Sequence, residues 1–120
     1  MAEDADLSEY EAGIYVWSLD TDVLFGDTAI ADLFGMDADQ TVSGLPLSAY
    51  LARVVPEDKA TVSRAIAQAV RDGQPYHAEY RVIDRLGDVR WVMALGRCFR
   101  DKTGNPVHHA GIVYPLERLA

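Results

Sequence analysis

The densest set of chemically capable side chains in this 120-residue chain is EYRVIDRLGDVRW, Glu79 to Trp91, where three acids, three arginines, a tyrosine and a tryptophan surround Gly87. Charged and aromatic groups so close together suit acid–base work or anion binding. The same pattern suits a plain β-hairpin. Glu57 and Asp58 form a second acidic pair, and His77, His108, His109 and Cys98 complete the candidates for proton transfer, metal ligation or nucleophilic attack. In a strand, neighbouring side chains point to opposite faces, so His108 and His109 cannot hold one ion together. No nucleophile elbow, phosphate-binding glycine loop, dinucleotide fingerprint or HExxH motif occurs. The sequence points away from an enzyme, with no catalytic residue and no metal ligand to nominate.

These residues must be carried by elements, and hydrophobic spacing supplies them. Ile14 to Leu19 and Val23 to Phe25 read as two strands around the turn formers Asp20, Thr21 and Asp22. Asp27 or Thr28 can cap a short helix with Ile30, Leu33 and Phe34 on one side and Gly35 as its stop. Residues 36 to 46 read as loop, and Leu47, Tyr50, Leu51 and Val54 suggest another short helix. The clearest helix runs from Pro56 to the stop at Gly73, with Glu57 and Asp58 at the positive end of its dipole and a narrow apolar face of Val62, Ala65, Ile66, Ala69 and Val70. Three strands follow, Tyr76 to Ile83, Val89 to Phe99 and Val107 to Tyr114, joined by turn-rich DRLGD and RDKTGNP. The order predicts an α+β domain, with short helices and one longer helix packed on one face of a five-stranded antiparallel sheet.

Length and a hydrophobic content of 49% suit a single domain over residues 13–116, with an acidic leader at 1–12 that can be helical and a tail at 117–120. The leader lacks the basic and apolar segments of a signal peptide, and the one cysteine, Cys98, suits a reducing compartment, so a cytoplasmic protein without membrane association is expected. A net charge of −8 argues against nucleic acid as partner. The first basic residue is Arg53, so eleven acids from Glu3 to Asp39 stand uncompensated and the remainder is slightly basic, which polarises the molecule.

VVPEDKATV, EYRV, LGDVRWV and DKTGNPVHHAGIVY, in that order, resemble the PAS fold, in the variety that reads E-Y-R, G, R-W, then G-x-P and G through its second half. The resemblance covers Gly13 to Leu116. It implies a sensory and interaction module of bacterial type that holds a small ligand or cofactor between sheet and helices, or holds none, and dimerises through its outer sheet face and an N-terminal helix. Two stretches depart from the pattern: Val55 stands where the family commonly has His, and Pro115, Leu116 and Glu117 replace the usual Asp-Ile-Thr. No effector segment follows, so output is expected to pass to another protein, unless the chain is a fragment of a larger sensor kinase or regulator.

On the strand from Val89, both Trp91, Met93, Leu95 and Val92, Ala94, Gly96, Cys98 are largely apolar, so both sheet faces should be covered. The resemblance puts the smaller set inside. The pocket candidates are then Val16, Ser18, Tyr80, Val82, Val92 and Ala94, with Ile66, Cys98, His109 and Val113. A small, mostly apolar ligand would find Ser18, Tyr80, Cys98 and His109 as its polar handles. The outer set is Tyr15, Trp17, Trp91, Met93, Leu95, Ile112 and Tyr114, partly screened by Leu7 and Tyr10. So bulky a patch suits a homodimer interface centred on Trp91, or a signalling protein partner.

The resemblance leaves the cofactor unknown. A flavin photosensor of this fold carries an Asn-Cys-Arg-Phe-Leu-Gln-like helix, which GLPLSAYLARV does not supply; a haem would want a histidine on the long helix, where residues 56–73 have none. Both are disfavoured. The expected function is a non-enzymatic PAS-type sensory module in signal transduction, and the alternative is a ligand-free interaction adaptor.

Overall fold

The computed structural model describes residues 10–116. The possible helix in the leader, the screening role of Leu7 and the tail lie outside them.

Five strands form one antiparallel sheet: β1 (Gly13–Ser18), β2 (Val23–Gly26), β3 (Tyr76–Ile83), β4 (Val89–Arg100) and β5 (Pro106–Pro115), in the spatial order β2-β1-β5-β4-β3. Between β2 and β3 come α1 (Thr28–Phe34), α2 (Ala38–Ser43), α3 (Leu47–Leu51) and α4 (Pro56–Asp72). The predicted α+β architecture is the one observed. α2 is the exception, because it occupies part of the stretch expected as loop. Its cause is local: Asp37 caps it, its carboxylate accepting the Gln40 amide at 2.9 Å, and the buried Thr41 gives it an anchor.

The ends of α1 and α4 explain how the helices stay on the sheet. Asp27 caps α1 by accepting the Ile30 amide at 3.0 Å, and Gly35 ends it at φ 64°. A side chain at Gly35 would run into the Arg53 guanidinium and the Asp84 carbonyl, so glycine is required there on two grounds. α4 begins at Pro56 and stops at Gly73 in the left-handed conformation; Arg100 of β4 donates to the Val70 carbonyl in its last turn. At its other end Asp58 takes the Arg81 guanidinium through both oxygens, at 2.7 and 2.9 Å, and the Arg81 amide at 2.9 Å. α4 is thus fastened to β3 at its start and to β4 at its end.

Both sheet edges are blunted. Leu45 exchanges backbone hydrogen bonds with Leu24 beside β2, and Arg53 and Val55 pair with Ile83 and Arg81 beside β3. The core lies between sheet and helices, with Ile30, Leu33, Val62, Val82 and Val92 fully buried.

The alternation expected for β3, β4 and β5 holds: Tyr80, Val82, Val92, Ala94, His109 and Val113 are buried on the inner side. β1 runs opposite to expectation. Tyr15 pairs with Gly111 and Trp17 with His109, so Tyr15 and Trp17 face inward, whereas Val16, paired with Ala110, and Ser18, paired with His108, lie on the outer face. The reason is volume. Gly96 and Gly111 sit side by side in the sheet, and the space above them takes the Tyr15 hydroxyl, which lies 2.4 Å from where a Cβ of Gly96 would be. The large aromatic fills the gap that the small residues leave.

Tyr10 also departs from its expected place at an interface. It is buried, with Arg90 and Arg85 over its ring at 4.4 and 5.6 Å. Burial, and then the Asp84 carboxylate, push its pKa up to about 12.

Candidate functional site

EYRVIDRLGDVRW resolves into strand, turn and strand. Asp84 is buried and accepts the Leu86 and Asp88 amides at 2.9 and 3.0 Å and Arg90 Nε at 3.3 Å. A buried carboxylate so fully matched anchors the turn. Arg81, held by Asp58, lies 5.2 Å over the Trp91 ring. Among the described residues no group of three or more His, Cys, Asp or Glu is placed to hold a metal ion.

The candidate site lies instead between the sheet and the helices. It is a cavity of about 50 Å³. From the sheet come Tyr15, Trp17, Leu24, Tyr76, Tyr80, Ala94, His109 and Val113; from the helical side come Ile30, Phe34, Leu47, Tyr50, Leu51, Val54, Val62 and Ile66. Of the pocket candidates, Ile66, Tyr80, Ala94, His109 and Val113 line it. Val82 and Val92 are buried in the core without reaching it, Cys98 is only half-buried and is not among the lining, and Val16 and Ser18 are on the other face. Ser18 donates to Asp20 in the β1–β2 turn at 3.0 Å. Tyr15 and Trp17, expected on the outer face, line the cavity; Tyr76, on the parity of Tyr80, joins them, as do Phe34 and Tyr50 from the helical side. The signal was present in the sequence, as two aromatics whose bulk needs the glycines of the last two strands.

His109 is the polar centre of this cavity. Its side chain is buried, the residue being 2% exposed, and its ring stacks on Tyr15 at 5.6 Å and meets Tyr76 and Trp17 edge-on at 5.3 and 6.5 Å. The Tyr15 hydroxyl lies 3.3 Å from Nδ1. The direction of this contact follows the tautomer: with the imidazole proton on Nε2 the hydroxyl donates to Nδ1 and is satisfied, whereas the reverse tautomer strands both the phenol proton and Nε2, so the first leaves fewer groups unmatched. Nε2 has no partner among the described residues. An unmatched buried donor costs about 1–3 kcal/mol. Burial pushes the imidazole pKa down to about 4, so the ring is neutral at pH 7. Burial also raises the pKa of Tyr15, Tyr76 and Tyr80 and takes that of Tyr50 up to about 12; Tyr50 donates to the Leu24 carbonyl at 2.8 Å. Every polar group of the wall is uncharged.

The opposite face of the sheet is apolar and open. Phe25 of β2, Ile14 and Val16 of β1, Ile112 of β5 and Leu95 and Phe99 of β4 are all exposed on it, Ile14 to 61% and Ile112 to 39%. Trp91, Met93 and Tyr114 share this face and are half-buried. No helix among the described residues is long and apolar enough to cross a membrane.

A helical cover closed over one face of a five-stranded antiparallel sheet, with a small aromatic cavity beneath it, leaves room to enclose a small molecule. The chain belongs to the PAS fold family, whose family model matches residues 23–113. Sensor protein FixL from Bradyrhizobium diazoefficiens is 27% identical over 108 residues, covering 90% of this chain and 20% of that protein. A blue-light-activated histidine kinase from Brucella ovis is 40% identical over 60 residues, covering 50% of this chain and 12% of that protein. The chain therefore spans a fifth or less of the length of these curated relatives. The N-terminal domain of a diguanylate cyclase with PAS/PAC sensor from Marinobacter aquaeolei superposes with a TM-score of 0.77 at 20% identity, over 88% of this chain and 94% of that one. A sensory box histidine kinase/response regulator from Burkholderia thailandensis gives 0.74 at 22% identity, over 97% and 85%. These last two likenesses establish the fold. The chain is a PAS sensory domain with bacterial relatives in sensor proteins.

Proposed function

We propose that the chain is a non-enzymatic sensing module whose input is a small, mostly apolar molecule held between sheet and helices. Its output is a change at the outer sheet face, where a second copy and a signalling protein dock. The observation that carries the input is His109, a buried imidazole with an unmatched Nε2 in an otherwise apolar wall. A domain serving only as an adaptor would gain by filling that place with an apolar side chain. The exposed apolar strip across β2, β1, β5 and β4 supports docking. The lone thiol of Cys98 fits a reducing cytoplasm. Relatives named as histidine kinases support a kinase-type output, on the same or another polypeptide.

Native mass spectrometry of freshly purified protein tests the input. The expected result is a population carrying a small organic molecule that denaturation releases. A chain that is empty from several expression hosts would favour the ligand-free adaptor.

A further inference from the structure

The cavity has a neighbour. A groove of about 430 Å³ opens between α3 and α4, lined by Ser63, Ala67, Val70 and Arg71, and it shares Trp17, Leu47, Leu51 and Ile66 with the cavity wall. A space of about 50 Å³ holds little more than water, whereas the two spaces joined fall within the roughly 300–1,000 Å³ of small-molecule sites. Trp17 stands at the junction. Its indole N–H donates to Asp22 Oδ1 at 2.9 Å, and the same oxygen accepts the Leu47 amide of α3 at 3.3 Å. One carboxylate therefore fastens both the tryptophan from the sheet and the helix facing it.

We propose that the cavity is the closed end of a larger site, that Trp17 is its door, and that the site takes a neutral apolar molecule bearing one carbonyl-type acceptor, recognised by His109 Nε2–H. The inference rests on the sensing reading and gives it a ligand class and an entrance. Tyr15 occupies Nδ1, which leaves Nε2–H as the donor without a partner among the described residues. An anionic group in the inner chamber would be stranded, because the cation of the joined site, Arg71, stands in the outer groove and is paired with Asp72 at 3.2 Å, and a pure hydrocarbon would leave Nε2–H unmatched. A ketone, aldehyde, ester or quinone satisfies both conditions.

Three probes of one shape separate these cases: acetophenone, α-methylstyrene, in which a CH₂ replaces the carbonyl oxygen, and benzoate. Titrations followed by the ¹⁵N and ¹H signals of the histidine rings should show acetophenone binding at least about tenfold tighter than either of the others, the worth of one matched buried hydrogen bond. The His109 Nε2–H resonance should move with it. His109→Phe should level acetophenone with α-methylstyrene, and His109→Gln, which keeps a donor, should retain the preference if the phenylalanine variant does not fold. Asp22→Gly suits the positive φ of 53° at this position and releases the indole; in a Trp91→Phe background, stopped-flow tryptophan fluorescence should show association about tenfold faster with the same preference among probes. Equal affinity for ketone and hydrocarbon, or tightest binding of benzoate, overturns the ligand class, and an unchanged association rate overturns the door. A protein that rejects all three probes yet carries another guest in native mass spectrometry overturns this inference and leaves the sensing reading in place. One that rejects all three and is always empty overturns both.

Discussion

His109 ties the cavity to pH. Its pKa is about 4 in the folded chain because burial penalises the imidazolium, against an ordinary value of 6.5. Above pH 6.5 the ring is neutral folded or unfolded, and the native state keeps its full stability. As pH falls from 6.5 towards 4, the unfolded chain binds a proton that the folded chain refuses, so stability declines through that window and levels off below it. The loss approaches about 1.4 kcal/mol per pH unit and about 3 kcal/mol in all. Urea unfolding between about pH 7 and pH 4.5 should show this slope, and His109→Phe should flatten most of it. A variant with the wild-type slope would assign the dependence to other groups. Alternation in β5, with the inner face assigned by the family resemblance, places His109 inside from sequence. Its partner Tyr15 was not legible that way, because a stacking contact between strands distant in sequence depends on a register that neither strand carries alone.

At the scale of elements, Asp27 joins β1 to α1. One carboxylate oxygen caps the helix at the Ile30 amide, and the other accepts the Ile14 amide at 3.1 Å. Asp27→Ala should cost about 1–2 kcal/mol and lower Tm by several degrees in a thermal melt, with Asp27→Asn recovering much of the loss. An alanine variant that melts with the wild type would mean that water serves both amides equally well. The capping signal was readable from Asp27 and Gly35, and β3, β4 and β5 from long runs between turn formers. α2 was not, since its six residues present only one that is buried, and no periodic apolar face announces it. The faces of β1 were unreadable for the opposite reason. Ile14, Tyr15, Val16 and Trp17 are apolar in succession, so either parity could serve the core, and only the glycines of β4 and β5 decide between them.

The whole molecule presents an acidic first half, a slightly basic second half, and an apolar sheet face that the described helices do not cover. Head-to-tail attraction between charges and face-to-face burial of that sheet are both routes to a dimer, and salt separates them. The apolar strip runs through four adjacent strands, and its middle is the Leu95–Ile112 pair of β4 and β5, with Ile14 opposite Ile112 on β1. Trp91 is half-buried under Arg81 and lies at the start of β4, four residues before Leu95, so the exposed strip is centred on Ile112 and the interface expected at Trp91 is tested there. Multi-angle light scattering should give a dimer mass that persists in 1 M salt, where the Debye length shrinks to about 3 Å and exposed charges are screened. Ile112→Glu should give a monomer that stays folded, because the partly exposed side chain of the single chain meets its own copy in the dimer, and its Tm should lose the dependence on protein concentration that a dimer confers. A mass that falls to the monomer in high salt would assign association to the charged halves, and a wild-type monomer at every salt concentration would leave the face to a different protein.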